Sequence, residues 1–90
     1  MIASELHTDA DVPEFLAASR EFRDWLRDRS GFIGYEVVGA GRRWADCIEW
    51  RDFESALAGN TAFAGTEIAA RFARVVQRHL AAMGPAADLA

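Results

Sequence analysis

Residues 31–50, GFIGYEVVGAGRRWADCIEW, decide the fold of this chain. Two runs within them, Phe32 to Val38 and Arg43 to Trp50, are rich in β-branched and aromatic residues, which are typical of strands. The intervening Gly39-Ala40-Gly41-Arg42 has the composition of a turn. It superficially resembles a phosphate-binding loop, but it joins two predicted antiparallel strands and opens no helix. We therefore predict a β-hairpin.

Two registers of this hairpin are worth comparing. One places Glu36 directly opposite Asp46, where like charges repel each other. The other pairs Val37 with Trp44 and places Tyr35 opposite Asp46, where a hydrogen bond can form, so we prefer it. Neither face is then simply polar, which predicts that both are covered. One face carries Ile33, Tyr35, Val37, Trp44, Asp46, Ile48 and Trp50, and the other carries Phe32, Gly34, Glu36, Val38, Ala45, Cys47 and Glu49.

The residues before the hairpin predict a strand and a helix. Residues 2–8 alternate with a period of two, as a half-buried strand does. Asp11 is suited to cap the helix that follows, and Pro13 suits its first turn. Apolar residues then recur at three- and four-residue spacing from about Val12 to Arg29, and Gly31 is a natural helix terminator.

The residues after the hairpin predict a second helical region and a last strand. A helix from Phe53 to about Phe63 can be capped by Asp52 or Ser55, and Gly65 breaks it before a second short piece that begins at Thr66. Residues 74–83 fit a helix or a strand equally well. Within the first piece, one face carries Phe53, Ala56, Leu57, Asn60 and Phe63.

The predicted order is β-α-β-β-α-β, which is the ferredoxin-like α+β arrangement. It builds a four-stranded antiparallel sheet with the helices on one face, within a single domain of residues 1–84 followed by a tail of residues 85–90. The other face of the sheet needs a cover. We expect a homodimer that forms through this open face.

Composition agrees with a second copy and excludes some partners. The chain has 90 residues, of which 51% are hydrophobic, with three Trp and six Phe. This is a large apolar fraction for so small a monomer. A net charge of −4 argues against a nucleic-acid partner. The arginines between Arg20 and Arg29 alternate with acids, as on a solvated helix face. No secretory signal or membrane span is predicted, and one cysteine forms no internal disulfide, so we expect a cytoplasmic protein.

The hairpin and its flanks also carry a diffuse family pattern. Gly31-Phe32 follows a charged helix, Trp44-x-Asp46-x-x-x-Trp50 comes next, and Glu54-x-Ala56 and Phe63 complete it. This pattern resembles the antibiotic-biosynthesis-monooxygenase-like family of dimeric α+β barrels over residues 1–80. The aromatic and small residues that form it specify a fold better than an activity.

The resemblance implies a homodimer with a ligand cavity between sheet and helices in each subunit. Members of the family include cofactor-free monooxygenases of aromatic polyketides and haem-degrading enzymes. Family members often carry a His four residues after Ala56, where this chain has Asn60. Asn60 can hydrogen-bond a ligand but cannot act as a base, which departs from the catalytic pattern.

Three residues are candidate catalytic groups. Tyr35 and Asp46 can hold and deprotonate a phenolic or quinol substrate, although a plain cross-strand hydrogen bond explains the pair equally well. His7 has an ordinary pKa suited to acid–base chemistry near neutrality, and its alternative is a structural or partly exposed His. Trp44 and Trp50, with Asn60, are candidate ligand-binding residues; the alternative for the two indoles is the core or the dimer interface.

We predict no metal site and no cofactor. His7, His79 and Cys47 show no metal-ligand spacing, and no basic neighbour is implied that would activate the thiol. A haem axial role for either histidine stays open, with nothing to single it out. The expected function is therefore binding of a small aromatic molecule, with cofactor-independent monooxygenation as its catalytic form. The alternative is a non-catalytic ligand-binding or dimerisation module.

Overall fold

The computed structural model describes residues 2–81, with side chains as far as residue 77. The predicted Gly84-Pro85 stop and the tail of residues 85–90 lie outside this range. The elements in chain order are β1 (Ile2–Leu6), a 3-10 turn (Asp9–Asp11), α1 (Val12–Arg27), β2 (Phe32–Ala40), β3 (Arg43–Trp50), α2 (Phe53–Phe63), α3 (Glu67–Val75) and β4 (Val76–Ala81).

The strands of this range form one antiparallel sheet in the order β2-β3-β1-β4. β1 lies between β3 and β4 and pairs antiparallel with both, so the first described strand is central and the last one, β4, forms an edge beside it. The three helices pack on the face that carries Leu6, Val37 and Trp44. The chain is therefore α+β, and its topology is compatible with the predicted ferredoxin-like arrangement.

The hairpin register differs by two residues from the predicted one. Asp46 lies opposite Val37, and Tyr35 lies opposite Ile48. Because side chains alternate along a strand, a shift of two keeps each of them on its predicted face.

The tightness of the turn explains this shift. Ala40 pairs with Arg43, which leaves only Gly41 and Arg42 in the loop instead of four residues. Gly41 has a φ of +57°, and glycine adopts this left-handed conformation without strain. Two-residue loops are the commonest hairpin connections, so the Gly-Arg step closes the hairpin further along the chain than composition suggests.

An irregularity at Ile33 changes the faces at the start of β2. Phe32 lies opposite Trp50 and Gly34 lies opposite Glu49, so Ile33 is left between the pairs. Phe32 therefore shares the face of Trp50 instead of the predicted opposite one, and their rings meet edge-to-face with centroids 6.0 Å apart. Ile33, predicted on the Tyr35 face, is 57% exposed.

The helix starts follow the predicted chemistry with one exception. The Asp52 and Thr66 side chains accept backbone N–H groups in the first turns of α2 and α3. Before α1, however, Asp11 makes no side-chain cap of the helix. Its carboxylate accepts the Thr8 N–H instead, and the Thr8 side chain caps the 3-10 turn that leads into α1.

The core forms where α1 and α3 cover the sheet. Leu6, Phe15 and Val75 are buried together, and Val37 and Trp44 pack against them. Burial of such apolar surface is the main favourable term in folding.

A glycine sets how α2 contacts the sheet. Gly59 is buried, and a Cβ there would lie 2.6 Å from the Trp50 Cζ2 atom, closer than side-chain atoms approach. The helix therefore packs on the indole through Gly59. Two apolar residues of the predicted α2 face, Phe53 and Leu57, are 64% and 56% exposed instead.

The ambiguous stretch from residue 74 onward contains both structures. α3 ends at Val75 and β4 begins at Val76, so each of the competing patterns holds for part of it. Within residues 2–81, no helix is long and apolar enough to cross a bilayer.

Candidate functional site

A cavity of about 390 Å³ lies between the sheet and the helices. Four phenylalanine rings, those of Phe15, Phe22, Phe63 and Phe72, line it from all three helices. This volume is in the range of small-molecule pockets, and a mostly apolar wall with few polar groups is typical of them. The polar residues that line the cavity are Ser4, Asp46, Asn60 and Gln77.

The position of the exposed lining residues shows where the cavity opens. Asn60 on α2, Ala73 on α3 and Gln77 on β4 are exposed, whereas Phe15 and Phe22 are buried. The mouth therefore lies between α2 and the junction of α3 with β4. Asn60 is at this mouth, and Asp46 lies on the sheet.

Tyr35 and Asp46 form the polar pair that the sequence predicts. The Tyr35 hydroxyl donates a hydrogen bond to the Asp46 carboxylate, with an O···O distance of 3.2 Å. Asp46 lines the cavity, and the Tyr35 ring meets the cavity-lining Phe22 edge-to-face, with centroids 5.2 Å apart. Tyr35 thus holds the carboxylate from behind the cavity wall.

The environment of Tyr35 keeps its phenol protonated. Burial raises the pKa of Tyr35 above its ordinary value of 10.0, and the Asp46 carboxylate raises it further because a phenolate beside it would be repelled. Ser19, buried on α1, acts in the opposite direction by less. Tyr35 is therefore a hydrogen-bond donor at neutral pH and does not act as a base.

The two tryptophans lie in packing positions. The Trp44 ring contacts Phe15, with centroids 5.7 Å apart, and its Nε1–H donates to the Gly41 carbonyl at 2.8 Å. Trp50 packs between Phe32 and Gly59, and its buried Nε1–H meets no acceptor among the described residues. Neither indole is among the described residues that line the cavity.

His7 lies apart from the other candidates. It is exposed at the end of β1, where its backbone N–H donates to the Val75 carbonyl at 3.1 Å. The structure thus brings together Tyr35, Asp46 and Asn60 and leaves His7 outside. The side chain of His79 lies beyond the described side chains.

An ion-pair cluster joins α3 to α1, and the sequence gives little sign of it. Arg71 of α3 bonds Glu14 of α1 with an Nη2–Oε1 distance of 2.8 Å and also pairs with Glu21. Its side chain is only 21% exposed, so solvent screens the pairs incompletely. The 57-residue separation of the partners explains why local spacing rules did not find the cluster.

Residues 2–77 offer no group of three or more His, Cys, Asp or Glu side chains that could hold a metal ion. Comparisons of the chain with family models, with curated proteins and with solved structures gave no match.

Proposed function

We propose that the protein binds a small aromatic molecule that carries an acidic hydroxyl or methylene group, in the cavity between sheet and helices. The observation that carries this proposal is the Asp46 carboxylate, held by Tyr35, in a wall made mostly of phenylalanine rings. Aromatic rings of a ligand match such a wall, and a carboxylate accepts a hydrogen bond from a polar group of the ligand. Asn60 at the mouth supplies a second hydrogen-bonding group.

The catalytic form of this proposal is a cofactor-independent monooxygenase of the antibiotic-biosynthesis-monooxygenase-like family. Asp46 takes a proton from an anthrone- or quinol-type substrate, and the resulting carbanion reacts with O₂. For an anthrone, the CH₂ group becomes C=O; one oxygen atom of O₂ enters the product and the other leaves as water. The substrate supplies all the electrons, so the balance needs no further reductant.

The second candidate is a binding protein without catalysis. Two observations favour it: Asn60 stands where the family often has His, and His7 lies outside the cavity. An amide cannot accept a proton as an imidazole does near neutrality. Ligand binding is common to both candidates, and only turnover separates them.

Oxygen uptake with anthrone and quinol substrates tests the catalytic form. Wild type should consume O₂ in proportion to substrate, and Asp46→Asn, which keeps the shape but removes the base, should lose at least about 100-fold in rate. His7→Ala is the control and should retain the rate, because His7 is exposed outside the cavity. Equal rates in wild type and Asp46→Asn would remove the monooxygenase proposal, and saturable binding without O₂ uptake would establish the second candidate.

We also propose that two copies dimerise through the open face of the sheet, as in dimeric α+β barrels. Val38 on this face is 63% exposed, and Ala45 and the exposed Cys47 stand near it. Light scattering should then give about 20 kDa, twice the 9.9 kDa chain. Val38→Arg should shift the mass to the monomer, whereas Leu57→Arg, an equally exposed apolar position on α2, should not. A wild-type monomer at micromolar concentration would overturn the dimer.

A further inference from the structure

Four charged residues of α1 lie on two different sides of the helix. Glu14 and Glu21 point toward α3, where both bind Arg71. Arg20 and Arg23 lie on the side toward β2, where they are exposed and form no ion pair with any described residue. The sequence suggests an evenly mixed surface, but the fold places Arg20 and Arg23 next to each other with no acidic partner in the described part of the chain.

These two arginines border a second, smaller hollow. It has a volume of about 220 Å³ and lies between α1 and the edge strand β2. Its floor is apolar or aromatic, and the buried Ser19 adds a hydroxyl group. The residues that line it are Leu16, Ser19, Arg20, Arg23, Tyr35 and Val37.

This hollow is separate from the cavity described above. The two share no lining residue, although Tyr35 lines the hollow and bonds Asp46, which lines the cavity. Asp46 gives the cavity a negative group, whereas the charged residues among the described lining of the hollow, Arg20 and Arg23, are positive. The two sites therefore favour different ligands.

The chemistry of the hollow selects a flat apolar body with an anionic end. Residues three apart on a helix are neighbours, so Arg20 and Arg23 can approach one anion together. A guanidinium group binds a carboxylate with two parallel hydrogen bonds. Leu16, Val37 and the Tyr35 ring offer contact to an aromatic ring. We propose that this hollow is a binding site for a small aromatic carboxylate, independent of the function proposed above.

Titration of the labelled full chain with 2-naphthoate, followed by amide NMR, tests the site. The uncharged 2-naphthol serves as a comparison with the same rings. Naphthoate should shift the amide signals of Leu16, Arg20, Arg23 and Val37, which line the hollow and not the cavity. Rising ionic strength should weaken its binding because the attraction is between exposed charges. Naphthol should not reproduce these shifts.

Arginine variants complete the test. Arg20→Gln with Arg23→Gln should weaken naphthoate binding by at least about tenfold, since charge-assisted hydrogen bonds are lost. Arg74→Gln removes the same kind of charge from an exposed position on α3 and should leave binding unchanged. No naphthoate binding, equal binding by the double variant, or shifts confined to the cavity residues would each overturn the proposal. None of these outcomes affects naphthol binding in the cavity, so the two proposals fail separately.

Discussion

Tyr35 and Asp46 bond along a diagonal of the β2–β3 ladder. Their hydroxyl and carboxylate oxygens are 3.2 Å apart, although Tyr35 lies opposite Ile48 and Asp46 opposite Val37. Diagonal neighbours on one face are within reach of a long aromatic side chain, so the phenol spans the offset. The pair therefore fixes the carboxylate of a residue that lines the cavity, from the diagonal position on the neighbouring strand.

The first prediction concerns the alkaline titration of Tyr35. It is the single tyrosine, so tyrosinate absorbance reports on this residue alone. Because the pKa of Tyr35 is raised from 10.0, the native protein should show no tyrosinate absorbance at a pH where a free tyrosine has ionised. Absorbance should appear on unfolding. A native titration at the ordinary value would contradict the buried, carboxylate-bound phenol.

The same shift makes stability depend on pH. Above pH 10 the unfolded chain loses the Tyr35 proton while the native state keeps it, so the unfolded state binds fewer protons. The free energy of unfolding should then fall by about 1.4 kcal/mol per pH unit from this group. Urea unfolding at several pH values measures the slope, and Tyr35→Phe should lack this contribution. Identical slopes in the two proteins would show that Tyr35 titrates alike in both states.

The second prediction concerns Gly59. An alanine Cβ there would overlap the Trp50 indole, so Gly59→Ala should destabilise the protein by about 1–3 kcal/mol. Alanine has a higher helix propensity than glycine, which favours the variant by up to about 1 kcal/mol. A net loss of stability is therefore evidence of the contact between Gly59 and Trp50.

Gly65→Ala is the matched control for that change. No atom lies within 4 Å of a Cβ built on Gly65, so this substitution should be neutral within about 0.5 kcal/mol. Denaturant unfolding followed by tryptophan fluorescence compares the two variants. Stabilisation by both substitutions would mean that α2 stands further from Trp50 than described.

The third prediction concerns Arg71. Arg71→Gln removes the group that joins Glu14 and Glu21 to α3, and we expect a loss of about 1–2 kcal/mol that shrinks at high salt. Arg74→Gln breaks an exposed pair with Glu67 and should cost less than about 0.5 kcal/mol. Unfolding at low and high ionic strength gives both values. Equal, small losses would show that Arg71 does not hold α3 to α1.

Sequence patterns were sufficient for the order of elements because each signal is local. Alternation in residues 2–8, the apolar stripe of α1 and the caps Asp52 and Thr66 all act within a few residues of the chain. The register was not accessible in the same way. The repulsion expected between Glu36 and Asp46 excludes the register that places them opposite each other. It does not distinguish between two registers that differ by two residues, and the tight Gly41-Arg42 turn selects one of these.

The candidate site was predicted in part for the same reason. Tyr35 and Asp46 lie on adjacent strands, so their hydrogen bond follows from the hairpin alone. Phe22 and Phe72, which line the cavity, lie on helices whose positions are set by tertiary packing. The sorting of arginines and glutamates on α1 also depends on where α3 lies. Nothing within the helix sequence specifies this position.

The fourth prediction fills the cavity without touching its polar groups. Ala69 of α3 lines the cavity, and Ala69→Leu should place three more carbon atoms inside it. Affinity for 2-naphthol should fall at least about tenfold, while the free energy of unfolding changes by less than about 1 kcal/mol, because the added side chain enters open space. Ala70→Leu, on the exposed side of the same helix, adds the same atoms and should leave binding unchanged. Undiminished binding by Ala69→Leu, measured by calorimetry on a folded protein, would mean that the ligand binds elsewhere on the chain.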